Sequence, residues 1–171
     1  MDTLLIGHTN GIGEAIYHTI DCEGISKSTG FDINDENFDF DYSKYNTIIL
    51  NAYDRFNSQL ETMMNIAEVI NPKTLFIVMG STSAYKTNPS DLYWAKYAIE
   101  KAAIVKAGID LNTMGYNVAV ISPGTVDTHR NAGKLCDMLK PKDIADTVAE
   151  IILKYSKGIL LEHTVIRTAK K

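Results

Sequence analysis

Short apolar runs alternate with amphipathic segments along the chain. Four runs of four to six residues, at 3–6, 47–50, 74–79 and 117–121, are rich in β-branched side chains and bounded by turn-forming residues. Continuous apolar runs of this length are typical of strands that are buried on both faces, as in a parallel sheet. The segment GILLEHTVI near the C-terminus is a candidate for a further strand.

Between these runs, residues 12–20, 57–70, 91–111 and 142–154 carry apolar positions at helical spacing. Ser90 is a candidate N-cap for the third helix, and Pro141 suits the first turn of the last. Alternating strands and helices imply right-handed crossovers and a doubly wound parallel α/β sheet with helices on both faces. No internal repeat or linker divides the sequence, so we expect residues 1–171 to form one three-layer αβα domain.

The composition excludes several classes of function. A chain of 171 residues with 45% hydrophobic and 22% charged residues can bury a substantial core, as ordinary globular proteins do. The net charge of −4 gives no attraction for nucleic acid or an anionic membrane, and no apolar run approaches membrane-spanning length. Cys22, Cys136 and the scattered histidines lack metal-ligand spacing. No secretory signal is visible, so we expect a metal-free cytoplasmic protein with reduced thiols.

A glycine-rich loop, GHTNGIGEAI, follows the first predicted strand directly and opens the first predicted helix. Gly7, Gly11 and Gly13 lie where the chain must turn tightly and where side chains would block a pyrophosphate resting on the helix N-terminus. The position of the loop indicates a dinucleotide site. The alternative is that the three glycines serve only the turn.

The loop resembles the cofactor loop of short-chain dehydrogenases/reductases, and three further stretches agree in the same order. NAY at 51–53 is similar to the family's NAG, ISPGTVDT at 121–128 to its N-P-G-x-V-x-T, and LKPKDIADTVAEIIL to its P-E-D-I-A helix. SKSTGFDIND at 26–35 resembles the R-S-S-G…D-I-T-D of a compact subgroup. The resemblance implies a Rossmann-type fold with a nicotinamide dinucleotide across the carboxyl ends of the strands. It implies cofactor contacts from Gly7, Asn10, Gly11, Ile12, Gly13, Asp32, Ile33, Asn51, Ala52, Pro123, Gly124 and Val126, with Asp32 and Ile33 flanking the adenine.

The end of the second strand predicts which dinucleotide is bound. A carboxylate there accepts from the ribose 2′-OH of NAD, whereas a basic residue favours the 2′-phosphate of NADP. The sequence reads Ser-Lys-Ser-Thr at 26–29, so Lys27 and Ser28 predict NADP(H), with NAD as the other possibility. The alternative is that Lys27 is a solvated surface lysine and selectivity is poor.

The resemblance also implies a serine and a Tyr-x-x-x-Lys pair, in which the tyrosine moves a proton at the substrate oxygen. A free phenol has a pKa of about 10, so a neighbouring cation is needed to favour the phenolate. In DLYWAKYAIEKA, placing Lys96 in the lysine position puts Leu92 in the tyrosine position, and placing Tyr93 in the tyrosine position puts Tyr97 in the lysine position. A further alternative is that the aromatic side chains only pack and Lys96 is solvated. The remaining reading is that Tyr93 and Lys96 act together at three-residue spacing. Lys96 would then also hold the nicotinamide ribose.

Other candidate residues lie outside this helix. Ser81 is the best match to the family's serine, and Ser83 is a second candidate. Asn65 loosely resembles an asparagine that supports a water relay in the family, although it suits an ordinary helix equally well.

The leading prediction is an NADP(H)-dependent oxidoreductase for a small carbonyl or alcohol. The alternative is a dinucleotide-binding protein without turnover, and a structural homo-oligomer that has lost ligand binding is the weakest reading. The predicted partners are a small-molecule substrate and a second copy of the chain, in a homodimer or homotetramer. Neither nucleic acid nor a membrane is expected.

Overall fold

A computed structural model describes residues 2–35, 40–133 and 136–169, apart from the side chain of Arg130. The strands in these ranges are β1 Thr3–Ile6, β2 Glu23–Ile25, β3 Thr47–Leu50, β4 Leu75–Met79, β5 Asn117–Pro123 and β6 His163–Ile166. The α-helices are α1 Gly11–Tyr17, α2 Ser58–Val69, α3 Leu92–Thr113 and α4 Pro141–Tyr155. Short 3₁₀ helices span Lys27–Thr29, Thr82–Tyr85 and His129–Asn131.

The strands form one parallel sheet in the order β2-β1-β3-β4-β5-β6. In this register Leu5 of β1 lies between Gly24 of β2 and Ile49 of β3. The chain leaves β1 toward one edge and then returns to build the sheet in the other direction from β3. Ligands of open α/β sheets bind in the crevice at such a reversal, outside the carboxyl ends of the strands.

Alternate strand residues face opposite sides of the sheet and build two cores. One core joins the sheet to α2 and α3, with Leu4 and Phe76 fully buried among residues such as Ile66 and Ile104. The other joins the sheet to α1 and α4, with Leu5 fully buried. Because every strand in the centre of the sheet is covered on both faces, its residues are apolar without alternation. The predicted three-layer, doubly wound α/β fold is confirmed.

The predicted boundaries hold closely for the central strands and less well at the last strand and for two helices. β1 and β3 span the predicted ranges, but β6 is only the end of the predicted 158–166 run. The first helix ends at Tyr17, where the backbone N–H of Thr19 turns back to Ile16. The N-cap of α3 is Asp91 and not Ser90, because the Asp91 carboxylate accepts from the backbone N–H of Trp94 at 3.0 Å.

Three observations concern the expectations drawn from composition about membranes, metals and thiols. Within the described ranges, none of the helices has both the length and the apolar character needed to cross a bilayer. The same ranges bring no three His, Cys, Asp or Glu side chains together as a metal site. Burial raises the pKa of the half-buried Cys22 thiol to about 11, so it stays protonated at neutral pH.

Candidate active site

The glycine loop is fixed against the ends of β1, β2 and β3. The backbone N–H of Gly7 donates to the carbonyl of Ile25 at 2.7 Å, with φ of Gly7 at +90°. A side chain on Gly7 would place its Cβ 2.7 Å from the backbone nitrogen of Ala52. Both the backbone conformation and this close approach therefore require glycine.

Asn51 ties the loop to the end of β3. Its side-chain Nδ2 donates to the carbonyl of Gly7 at 2.8 Å, and its backbone N–H donates to Ile6 at 3.0 Å. Gly13 is buried directly beneath this bond, and a Cβ there would lie 2.7 Å from Nδ2 of Asn51 and closer still to the carbonyl oxygen of Gly7. Glycine is needed at 13 by the protein's own backbone, which is a different reason from the contact with a pyrophosphate that the sequence suggested.

A cleft of about 800 Å³ runs along the carboxyl ends of the strands, at the reversal between β1 and β3. It brings together most of the predicted cofactor residues: Gly7, Asn10, Gly11, Ile12, Lys27, Asp32, Ile33, Asn51, Ala52, Pro123, Gly124 and Val126. Gly13 and Ser28 are not part of its wall. The wall also contains Thr9, Tyr53 and Thr128, which lie at positions of the quoted motifs to which the resemblance assigns no contact, and His129, which follows the last of them.

One end of the cleft carries an exposed ion pair. The Nζ of Lys27 lies 3.0 Å from Oδ2 of Asp32, and Oδ1 of the same carboxylate accepts from the backbone N–H of Asn34 at 3.0 Å. The hydrogen bond from Asn34, followed by that from Lys27, lowers the pKa of Asp32, and the bond to Asp32 raises the pKa of Lys27. Ser28 is turned toward Ser26, with their hydroxyl oxygens 2.9 Å apart. Lys27 thus lies at the cleft, but its ammonium is paired with Asp32, a carboxylate from outside the segment 26–29 on which the cofactor prediction was based.

Helix α3 presents Tyr97 and Lys101 to the other end of the cleft. Lys101 is almost fully buried, and its Nζ lies 5.3 Å from the ring centre of Tyr97 and 4.8 Å from that of Tyr53. The ammonium donates to the carbonyl of Met79 at 3.2 Å and to Oε1 of Gln59. Four-residue spacing places Tyr97 and Lys101 on one face of the helix.

The structure does not bring Tyr93 and Lys96 into this cleft. Tyr93 is 56% exposed and packs edge-on against Trp94, with ring centres 5.3 Å apart. Lys96 is exposed outside the cleft, with its Nζ 5.8 Å from the ring centre of Phe56. The sequence did contain the signal for the other pair, since Tyr97-x-x-x-Lys101 has the family's spacing. It was missed because both alignments were anchored on Tyr93 or Lys96.

Glu100, the residue before Lys101, fixes the start of α2. Its fully buried carboxylate accepts from the backbone N–H groups of Asn57 at 3.0 Å, Gln59 at 3.1 Å and Leu60 at 3.3 Å. A carboxylate at a helix N-terminus satisfies unpaired donors and interacts favourably with the helix dipole. Glu100 therefore positions Gln59, whose side chain contacts Lys101.

A second cavity, of about 400 Å³, opens beside the cleft. Four residues line both spaces: Ser81, Tyr97, Gly124 and Asn131. The Ser81 hydroxyl oxygen accepts from the backbone N–H of Ser83 at 3.1 Å, and Ser83 is buried in the cavity wall. Asn65, in contrast, is exposed on α2 and lines a separate depression. Ser81, Tyr97 and Asn131 are therefore the polar side chains that line both the cleft and the smaller cavity.

Comparison with known proteins identifies this architecture. No family model and no curated protein sequence matches the chain. Among solved structures, a small-chain dehydrogenase in complex with NADPH has a TM-score of 0.75 at 15% identity, covering 97% of this chain and 96% of that one. The chain has the short-chain dehydrogenase/reductase fold. The closed form of a serine dehydrogenase complexed with NADP+ matches with a TM-score of 0.73 at 15% identity, covering 100% and 98%. A 3-alpha-hydroxysteroid dehydrogenase from Pseudomonas sp. B-0831, complexed with NADH, gives 0.65 at 13%, covering 97% and 95%.

The cleft of this short-chain dehydrogenase/reductase fold fits a dinucleotide in its own geometry. Gly7 turns the chain at the end of β1, and Gly11, with φ of +57°, begins α1 in the wall of the cleft. A side chain at Gly11 would lie 3.2 Å from Cγ2 of Thr128, so the space above the helix N-terminus is kept open between these elements. Helix N-termini and glycine turns of this kind bind phosphate through backbone N–H groups. The exposed ammonium of Lys27, paired with Asp32, lies at the far end.

Proposed function

We propose that the protein is an NADP(H)-dependent oxidoreductase of the short-chain dehydrogenase type that interconverts a small carbonyl compound and its alcohol. The observation that carries this proposal is the junction of the two cavities, which Ser81 and Tyr97 both line, together with the buried Lys101 on the same helix face as Tyr97. The NADPH, NADP+ and NADH in the related structures support the choice of cofactor. The larger cleft would hold the dinucleotide and the smaller cavity the substrate.

The cofactor residues divide by chemistry. Gly11 and the start of α1 hold the pyrophosphate through backbone N–H groups, and Lys27 binds the 2′-phosphate of NADP(H). Asp32 and Ile33 border the adenine, and Lys101 holds the nicotinamide ribose. When bound, the reduced nicotinamide supplies a hydride, and so both electrons, to the carbonyl carbon and is itself oxidised.

Tyr97 supplies the proton that completes the reduction. Its hydroxyl protonates the developing alkoxide at the substrate oxygen, and in the reverse direction the phenolate takes the proton back from the alcohol. The Lys101 ammonium, 5.3 Å from the Tyr97 ring centre, favours the phenolate because the interaction between the opposite charges is weakly screened in a buried site. The Ser81 hydroxyl donates a hydrogen bond to the same substrate oxygen. General acid catalysis of this kind contributes about 100- to 10,000-fold to the rate.

The experiment is a screen of small aldehydes, ketones and quinones with NADPH, followed by variants on each active substrate. We expect Tyr97→Phe to lower kcat by about 100- to 10,000-fold while NADPH affinity is nearly unchanged. Lys101→Met should weaken both turnover and NADPH binding, because that side chain has two roles. Lys96→Met is the matched control, and it should leave both quantities within twofold.

Two outcomes would overturn the assignment. If Tyr93→Phe lost turnover while Tyr97→Phe kept full activity, Tyr93 would be the general acid, as the sequence first suggested. Tight NADPH binding without turnover of any carbonyl would favour a dinucleotide-binding protein without catalysis. That alternative drew its support from the lack of a Tyr-x-x-x-Lys spacing at Tyr93 or Lys96. Tyr97 and Lys101 have that spacing, which supports the catalytic reading instead.

A further inference from the structure

The cavity beside Tyr97 has a chemical character that restricts its substrate, and the inference from it rests on the proposed function. Its wall is polar on one side, with the hydroxyls and amides of residues such as Ser83, Asn88 and Thr125, and aromatic on the other, with Tyr93 and Trp94. A volume of about 400 Å³ is near the lower end of ligand pockets, so it suits a small molecule. The two rings stand edge to face, at an angle of 82°.

Lys86 is the one charged side chain among the described residues of this wall, and none of them is acidic. Its backbone N–H donates to the carbonyl of Ser83 at 3.1 Å, which fixes the end of the 3₁₀ helix Thr82–Tyr85 at the cavity mouth. Across residues 2–35, 40–133 and 136–169, the ammonium of Lys86 forms no ion pair. The nearby Asp91 carboxylate accepts from the start of α3 and does not line the cavity.

A lysine that is not ion-paired, in a wall without acidic residues, favours a ligand with a negative charge. An ammonium is a compact point charge that pairs with carboxylate or phosphate. One cation balances the single charge of a carboxylate and leaves a phosphate dianion half neutralised, so the wall fits a carboxylate better. The aromatic side of the cavity adds a surface on which a planar apolar group can pack.

We propose that the substrate is a small planar carbonyl compound, or the matching alcohol, that carries one carboxylate. The carboxylate binds Lys86, the planar body lies against Tyr93 and Trp94, and the carbonyl oxygen meets Tyr97 and Ser81. The reaction is the carbonyl reduction described above, and Lys86 contributes binding and specificity but no chemical step.

The test compares acids with their neutral methyl esters, which keep the reacting carbonyl. The two pairs are 4-formylbenzoate and phenylglyoxylate, each with its methyl ester, assayed with NADPH. We expect kcat/KM of the wild type to favour each acid by about tenfold, the scale of one hydrogen bond to a charged group. Lys86→Met, which keeps the length of the side chain, should raise KM for the acids by a similar factor, with kcat and the ester constants unchanged. Lys86→Arg should retain the preference for acids.

The control is Lys106→Met, which removes the same charge from an exposed ion pair on α3 and should leave the acid-to-ester ratio intact. Calorimetric titration of the four compounds into protein saturated with NADP+ gives a second readout that needs no turnover. Esters that bind as well as acids, or equal losses for both in Lys86→Met, overturn the proposal. Failure of NADPH to bind would contradict the proposed function itself. Turnover of neutral carbonyls alone would agree with the proposed function and overturn the substrate class.

Discussion

The buried ammonium of Lys101 donates to the side-chain oxygen of Gln59, and this bond joins α3 to the first turn of α2. The Nε2 of Gln59 donates to the carbonyl of Leu50 at 3.3 Å, which turns its oxygen toward the lysine. Gln59 is fully buried and its backbone N–H is held by Glu100. Gln59 therefore fixes the Lys101 side chain beside Tyr97.

Replacing Gln59 should show this positioning role. Gln59→Leu leaves a buried ammonium short of one acceptor, which costs about 1–3 kcal/mol in the free energy of unfolding measured by urea denaturation. Because Lys101 is then less fixed, we expect kcat to fall and Kd for NADPH to rise. Asn65→Leu is the matched control, since it removes an exposed amide from the same helix. Unchanged NADPH affinity in Gln59→Leu would mean that Gln59 serves stability alone.

The ion pair between Lys27 and Asp32 predicts how the protein selects its cofactor. We expect NADPH to bind more tightly than NADH, and Lys27→Glu to erase or invert that preference by repelling the 2′-phosphate. Asp32→Asn removes the carboxylate that competes for Lys27, so it should widen the preference for NADPH. Calorimetric titration of both nucleotides gives the ratio of Kd values. A wild type that prefers NADH would contradict the role assigned to Lys27.

Gly13 should be intolerant of even one added carbon. The Cβ of Gly13→Ala would overlap the carbonyl of Gly7 and crowd Asn51. We therefore expect the free energy of unfolding to fall by about 3 kcal/mol or more and NADPH binding to be lost. Gly115→Ala is the comparison, because its added methyl meets nothing within 4 Å and it carries only the cost of a positive φ, about 1–3 kcal/mol. Equal costs in urea denaturation would show that crowding at Gly13 is relieved by movement of the loop.

His163 should make stability depend on pH below neutrality. Its Nε2 lies 2.8 Å from the Tyr85 hydroxyl and 3.0 Å from that of Ser122, and burial lowers its pKa from about 6.5. Above about pH 6.5 the imidazole is neutral in both the folded and the unfolded protein. As the pH falls below that value, the unfolded chain takes up a proton before the folded protein does, so the free energy of unfolding decreases. We expect His163→Gln to flatten the decline in urea midpoint between pH 7.5 and pH 5.5 (about one unit either side of the ordinary value). His18→Gln, at an exposed histidine, should not.

The sequence predicted the sheet well because its strands are buried on both faces, which leaves uninterrupted apolar runs such as 47–50. The positions of the glycine loop and of the residues around Asn51 and Pro123 were also predictable, since they follow the carboxyl ends of strands at fixed points of the fold. The Tyr and Lys pair proposed as catalytic lies about one helical turn beyond the predicted pair, because several tyrosines and lysines share α3 and only burial separates Lys101 from Lys96. The contacts of Gln59 and Asp32 are made across distant segments or turned loops, and no local spacing signals them.

The chain's single tryptophan, Trp94, lies 5.6 Å from the ring centre of Tyr97 and lines the smaller cavity. Its indole emission therefore samples the junction where both ligands would meet. Nucleotide entering the cleft and a carbonyl compound entering the cavity should each change that emission, by energy transfer to reduced nicotinamide in one case and by displaced water in the other. The order in which the two ligands bind is thus open to stopped-flow fluorescence on the unlabelled protein.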